Sequence, residues 1–306
     1  MYKVYACGGA GINLTNGVDI NNDRIVVIDT SKSNLKKVEG DREVYLVEGM
    51  SGAGKVRKTS HSGSKDELPD ILFKHQPSDI NIIVSSASGG SGSVLSYLLM
   101  DELMRQNKTV VMVLVGSYDS IVETENTLKT LTSLAGLVKK HQKPVVCFFE
   151  ENISDGTSNG RFRSDEYIKT FLVLMARIAS GENSEELDIT DIKNFFDYTV
   201  ATEYPPSLVY LDTLTGVNMV DTDKGNPVSA LSIIGNHDTS YQLNVPVPYQ
   251  AVGVISQDLK TDQLHLITLD GYFLNKIKEI ETMLAEMKSN VPRKKSIEVD
   301  STDIVL

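Results

Sequence analysis

Six short runs rich in Val and Ile punctuate the first half of the chain, at residues 3–7, 24–28, 43–47, 81–86, 109–115 and 144–149. Several are apolar at almost every position, as in the stretch from Val110 to Val115. A strand with one wet face alternates apolar and polar residues. A strand that is apolar throughout must be covered on both faces, the condition of parallel strands flanked by helices. Helical patterns fill the gaps at 66–74, 92–105 and 121–140. The alternation predicts a doubly wound α/β domain with a parallel sheet, whose ligands bind at the carboxyl ends of the strands.

A helix predicted over 164–180 carries Phe171, Leu172, Leu174, Met175 and Ile178 around much of its circumference. Such a helix is buried between layers or domains, and the domain junction is placed on it. Residues 188–270 read as a smaller α+β domain, with a helix starting at Asp188 and β-like runs at 228–234, 249–256 and 263–269. A last helix over 272–289 places Phe273, Ile277, Ile280, Leu284 and Met287 on one stripe. Pro292 stops it, Arg293-Lys294-Lys295 follows, and residues 296–306 form an acidic tail with Glu298, Asp300 and Asp303.

The formal net charge of −11 repels phosphate backbones, so no direct nucleic-acid binding is expected. Phosphates of a small ligand can still be held locally by backbone N–H groups at helix N-termini. Cys7 and Cys147 sit in strand-like runs and read as buried thiols rather than a redox pair. No apolar run approaches the roughly 20 residues that span a bilayer. The N-terminus lacks a basic region followed by an apolar stretch, so neither a membrane segment nor a secretory signal is expected. The five histidines are scattered without metal spacing.

Three glycine-rich turns follow three of the strands: Gly8-Gly9-Ala10-Gly11-Ile12-Asn13, Ser51-Gly52-Ala53-Gly54 and Ser88-Gly89-Gly90-Ser91-Gly92-Ser93. Glycine lets backbone N–H groups approach a phosphate with no Cβ in the way, and a following helix adds a partial positive charge. Three such turns at strand ends point to phosphate binding. Two other phosphate motifs fail. Gly49 to Lys55 fits the start of a P-loop, but Val56 stands where Ser or Thr would hold magnesium. Gly9 and Gly11 begin a dinucleotide fingerprint, but Leu14 stands where its third glycine belongs, although Asp29 resembles its ribose-binding acid.

The third turn resembles the phosphate loop of the tubulin/FtsZ superfamily, roughly GGGTGSG, with Ser91 for threonine and Val94 for the last glycine. Far downstream, Asp188-Ile189-Thr190-Asp191-Ile192-Lys193 resembles the superfamily's catalytic loop, where two aspartates lie three apart; Glu186 takes the place of its asparagine. From local chemistry alone, Asp188 is a helix N-cap and Asp191 a first-turn acid. Within the superfamily the chain is most similar to the phage tubulins of the PhuZ group. These share Gly89-Gly90-Ser91-Gly92-Ser93-Val94-Leu95, an L-D-x-x-D-[VI] stretch matched by residues 187–192, this chain length, and a long helix followed by an acidic tail.

The resemblance covers roughly residues 1–290 and implies a Rossmann-like GTPase domain at 1–163, a central helix and loop at 164–187, and a C-terminal activation domain at 188–270. A C-terminal helix at 271–290 and an assembly tail at 291–306 complete the expected division. It implies binding of GTP or GDP with Mg2+ by the three turns, Asn13 included. Asn152 would read the guanine edge, since an amide both donates and accepts. Tyr167 or Phe162 would stack on the base, and Glu123 and Asn126 would lie near the ribose. Asp188 and Asp191 would reach the nucleotide of the next subunit, making GTP hydrolysis a product of assembly. The implied protein is a head-to-tail homopolymer, its acidic tail on the neighbouring subunit. It works without membrane in the cytoplasm of an infected bacterial host, positioning phage DNA. A plasmid-segregation or division-type tubulin homologue is an alternative, and a Rossmann-type metabolic enzyme a more distant one.

Overall fold

The computed structural model describes residues 1–49, 52–152, 159–180, 187–215, 225–235, 246–255, 262–269 and 271–291. All six expected strands form, as β1 (Tyr2–Cys7), β2 (Ile25–Asp29), β3 (Glu43–Leu46), β4 (Ile80–Ser86), β5 (Thr109–Gly116) and β6 (Val145–Glu151). They are mutually parallel. Between them run α1 (Gly8–Thr15), α2 (Lys32–Leu35), α3 (Arg57–Lys74), α4 (Ser91–Arg105) and α5 (Ile121–His141). After them come α6 (Asn159–Ser180), α7 (Ile189–Phe196), β7 (Leu208–Thr215), β8 (Asn226–Gly235), β9 (Tyr249–Ile255), β10 (Gln263–Leu269) and α8 (Tyr272–Ser289).

One mixed sheet of ten strands holds the order β3-β2-β1-β4-β5-β6-β7-β10-β8-β9. β7 continues the parallel set beside β6, β10 is antiparallel to β7 and β8, and β9 is parallel to β8. The sheet therefore runs unbroken past the expected junction at 164–187. The order reverses between β1 and β4, and a crevice opens at such a reversal at the carboxyl ends of the strands.

The apolar strands bury both faces, as their composition demands. Val4, Ala6, Ile82, Val84, Val113 and Phe148 pack under α1, α6 and α7. Tyr5, Cys7, Ile83, Met112, Leu114 and Phe149 pack under α3, α4, α5 and α8. Cys7 and Cys147 are free, buried thiols. On α6, Phe171 stacks on Phe148 with ring centroids 3.8 Å apart. On α8, Phe273, Ile280 and Leu284 are buried, and Lys288 Nζ pairs with Glu125 Oε1 of α5 at 2.6 Å. Among the described residues no helix is long and apolar enough to cross a membrane.

Five elements differ from the sequence expectation, the short α2 among them, which has no counterpart in the sequence reading. Residues 8–15 are a helix from their first glycine, not a turn before one. α3 begins at Arg57 rather than at residue 66, because no apolar residue marks its first turns. α6 begins at Asn159 rather than at residue 164. β7 has no counterpart in the sequence reading, because Asp212 and two threonines interrupt its apolar pattern.

Candidate functional site

A cleft of about 360 Å³ opens at the carboxyl ends of β1, β2 and β4, where the strand order reverses. All three glycine stretches line it: Gly8, Gly9 and Ala10 from the start of α1; Gly52, Ala53 and Gly54 from the loop after β3; Ser88 to Gly92 from the loop entering α4. The helices α1 and α4 aim their N-termini at it, and neither has an acidic residue in its first turn. Two helix N-termini with no carboxylate to compensate them favour an anion.

The glycines are required by space as well as by the ligand. Gly8 has φ +73°, and a Cβ on it would lie 2.8 Å from Gly92 Cα. A Cβ on Gly92 would lie 2.7 Å from the Cys7 carbonyl oxygen. The two helix starts are therefore pressed together, so their N–H groups serve one site. Gly90 is likewise held against Ala53 and Lys55.

Hydroxyls and amides fix these loops. Thr30 Oγ1 and Ser91 Oγ lie 2.6 Å apart. Ser93 is buried rather than cleft-lining, and its Oγ donates to Gly89 O at 2.6 Å. Asn126 Nδ2 donates to Lys55 O at 2.9 Å and to Ser88 O at 3.1 Å, so it ties two loops together from beneath. Gly11 lies under the cleft against Val84 O, where it allows α1 to pack on β4. Asn13 is exposed and outside the cleft lining.

Glu123, three residues into α5, lines the cleft and pairs with Lys55 Nζ at 2.8 Å. Lys55 was not among the expected site residues, nor were Asp29, Ser31 and Asn34, which also line the cleft. Asp29 organises that corner by accepting from Thr30 N at 2.6 Å, Ser31 N at 3.1 Å and Asn34 Nδ2 at 2.9 Å. Burial raises the Asp29 carboxyl above its ordinary range, and those three donors oppose the shift.

Asn152 follows β6, with its N–H on Gly116 O at 2.9 Å. Its side-chain Oδ1 is buried with no hydrogen-bond partner among the described residues. Asn152 is not part of the cleft lining. Tyr167 is 39% exposed, and its ring lies 5.5 Å from that of Phe148. Burial, with Asp212 and Glu150 nearby, pushes its hydroxyl up to about 12. It does not line the cleft. The side chain of Phe162 falls outside the described residues, as do Ser51, Glu186 and the tail acids Glu298, Asp300 and Asp303.

Asp188 and Asp191 sit at the other end of the sheet. Asp188 caps α7, accepting on Oδ1 from Thr190 N at 2.6 Å and Asp191 N at 3.0 Å, while Asp191 Oδ2 accepts from Asp188 N at 3.3 Å. Those backbone donors hold the exposed Asp188 carboxyl below its ordinary range. Lys193 of α7 pairs at 3.2 Å with Asp79, immediately before β4. The cleft lies at the far end of that strand, and its 7 residues rise about 23 Å at 3.3 Å each. Glycine cleft and aspartate pair thus occupy opposite poles of one molecule.

No protein-family model matches the chain. It is similar to a phage tubulin-like protein of Pseudomonas phage PhiPA3, 28% identical over 272 residues covering 87% of this chain and 83% of that one. A phage tubulin-like protein of Pseudomonas phage phiKZ is 24% identical over 97% of this chain and 94% of its own. Among solved structures, a protofilament of TubZ from bacteriophage PhiKZ superposes with a TM-score of 0.83 at 25% identity, covering 98% of this chain and 96% of that one. The GDP-bound phage tubulin PhuZ has the same fold, with a TM-score of 0.83 at 22% identity over 100% of this chain and 97% of that one. The chain is therefore similar over most of its length to phage tubulin-like proteins, and it shares their fold.

Proposed function

We propose that this protein binds GTP in the glycine cleft, assembles head to tail, and hydrolyses the GTP with carboxylates brought by the neighbouring subunit. The observation that carries this is the separation of the two poles. The aspartates that resemble the superfamily's catalytic pair lie at the amino ends of the strands, beside Asp79, and the cleft lies at the carboxyl ends. Stacking copies in one direction puts Asp188 and Asp191 of one subunit over the cleft of the next.

In this reading residues 8–10, 52–54 and 88–92 hold the phosphates through backbone N–H groups and the two helix N-termini. Gly11, Ser93 and Asn126 hold the loops rather than the ligand, and Asn13 lies outside the cleft lining. Asn152 recognises the guanine, Tyr167 flanks it, and Glu123 is near the ribose. Among the described residues no cluster of His, Cys, Asp or Glu could hold a metal, so Mg2+ would be carried chiefly by phosphate oxygens and water. Bound there, it would neutralise charge building on the phosphates. Asp188 gives one carboxylate oxygen to the cap and keeps the other for solvent. An ionised carboxylate so placed can orient water for attack on a neighbour's γ-phosphate.

The division of labour follows. Residues 1–163 bind nucleotide, 164–187 connect the poles, 188–270 activate, and 271–290 with the tail at 291–306 assist assembly. Glu298, Asp300 and Asp303 would contact the adjacent subunit. Such a filament, in the cytoplasm of an infected bacterium, would position phage DNA. The protofilament formed by the similar TubZ of bacteriophage PhiKZ supports the polymer. Light scattering tests it: addition of GTP and Mg2+ should raise the signal only above a critical protein concentration. No rise at any concentration would end the filament reading.

A further inference from the structure

Arg57 opens α3 behind the cleft, in the segment that follows Gly52-Ala53-Gly54. Its Nη1 donates to Ser93 Oγ at 2.8 Å and also to Thr130 Oγ1. Each hydroxyl reaches onward to the loop that enters α4. Ser93 Oγ donates to Gly89 O at 2.6 Å, and Thr130 Oγ1 lies 2.8 Å from Ala87 O. One guanidinium therefore grips both ends of the stretch 87–93 through two relays. The Asn126 amide adds a third stitch between Lys55 O and Ser88 O.

The charge is as informative as the geometry. Among the described residues no carboxylate pairs with Arg57, and burial depresses its proton affinity. A half-buried cation without a counter-ion is costly. This one also lies beneath the N-terminus of α4, whose first turn holds no acid. Two positive fields converge there, and among the described residues no carboxylate contacts Arg57 or stands in the first turn of α4. Phosphate in the cleft supplies that balance, acting over a short path through low-dielectric protein.

We propose that Arg57 is the positioning residue of the phosphate loop, setting its shape through Ser93 and Thr130 and adding positive potential felt in proportion to the phosphates bound. The proposal rests on the cleft being a guanine-nucleotide site. A purely structural arginine would change the affinity for every ligand of the cleft alike. A phosphate-positioning one discriminates by phosphate number.

The test is equilibrium binding of GMP, GDP and GTP to the full chain and its variants. Arg57→Gln should weaken GTP by about tenfold or more, as for loss of charged hydrogen bonds, GDP by less and GMP least. Thr130→Val, which cuts one relay, should show the same graded loss at smaller size, and Thr130→Ser should restore wild-type binding. Equal losses for the three nucleotides, or no loss for GTP, would overturn the proposal. Should Arg57→Gln fail to fold, the Thr130 pair decides alone, and equal behaviour of Val and Ser there would also overturn it. A wild-type chain that binds none of the three removes the nucleotide reading itself, a failure seen before any variant is compared.

Discussion

Gly8 and Gly92 each fill a space that a methyl group cannot share, because the starts of α1 and α4 touch there. That much was legible in the sequence, since glycine repeats directly after apolar strands have few other uses. Lys55 was legible only as the lysine of a failed P-loop. Its place in the cleft depends on how the loop from β3 to α3 turns, and no local spacing encodes that. Asp29 was legible only as the acid of a failed dinucleotide fingerprint, and Ser31 and Asn34 escaped for the same reason as Lys55: they are brought in by the neighbouring strand β2. His265 looked like one of five scattered histidines, yet it is fully buried, with Nδ1 2.8 Å from Thr213 Oγ1 and Nε2 unpaired. Burial pushes its pKa from 6.5 down to about 3. The folded state thus refuses a proton that the unfolded chain accepts. Stability from this site is complete above pH 6.5 and erodes as pH falls toward about 3, by about 1.4 kcal/mol per pH unit within that window. Thermal melts of wild type should therefore fall more steeply than those of His265→Gln as the pH is lowered through that window. Parallel curves would show that His265 does not contribute.

Among the elements, the strands were the easiest to foresee, because burial on both faces writes itself into composition. Helix starts were hardest. The segment Arg57-Lys58-Thr59-Ser60-His61-Ser62-Gly63 has no apolar residue, so α3 owes its first turns to tertiary contacts such as those of Arg57. α6 shows the opposite case, with an apolar circumference that demanded burial. It leaves the carboxyl end of β6, where Ser164 Oγ donates to Glu151 O at 2.7 Å, and its 22 residues extend about 33 Å at 1.5 Å each. Phe171, 1% exposed and stacked on Phe148, anchors it. Phe171→Ala should cost about 3–5 kcal/mol in denaturant unfolding, and Tyr167→Ala, on the same helix but 39% exposed, far less. Equal losses would mean that the stacked pair does not anchor α6.

At the scale of the whole molecule, ten strands make one continuous sheet with a glycine-lined cleft at one pole and an aspartate-capped helix at the other. The sequence displayed both halves but not their separation, because distance across a sheet follows from strand direction and the path of α6. On the proposed function, that separation means that no single subunit hydrolyses GTP. Two defective variants isolate that claim. Asp191→Ala keeps the cleft and loses a carboxylate. Gly89→Asp keeps the aspartates and puts a negative charge in the cradle, at a position where a Cβ meets nothing closer than 3.8 Å. The most direct measurement is phosphate release from GTP by each variant alone and by their mixture. Each should be nearly inactive alone, and mixing should restore activity, since a cleft from one can meet an aspartate from the other. A mixture no more active than its parts, or a wild-type rate per subunit that does not change with protein concentration, would contradict the shared site.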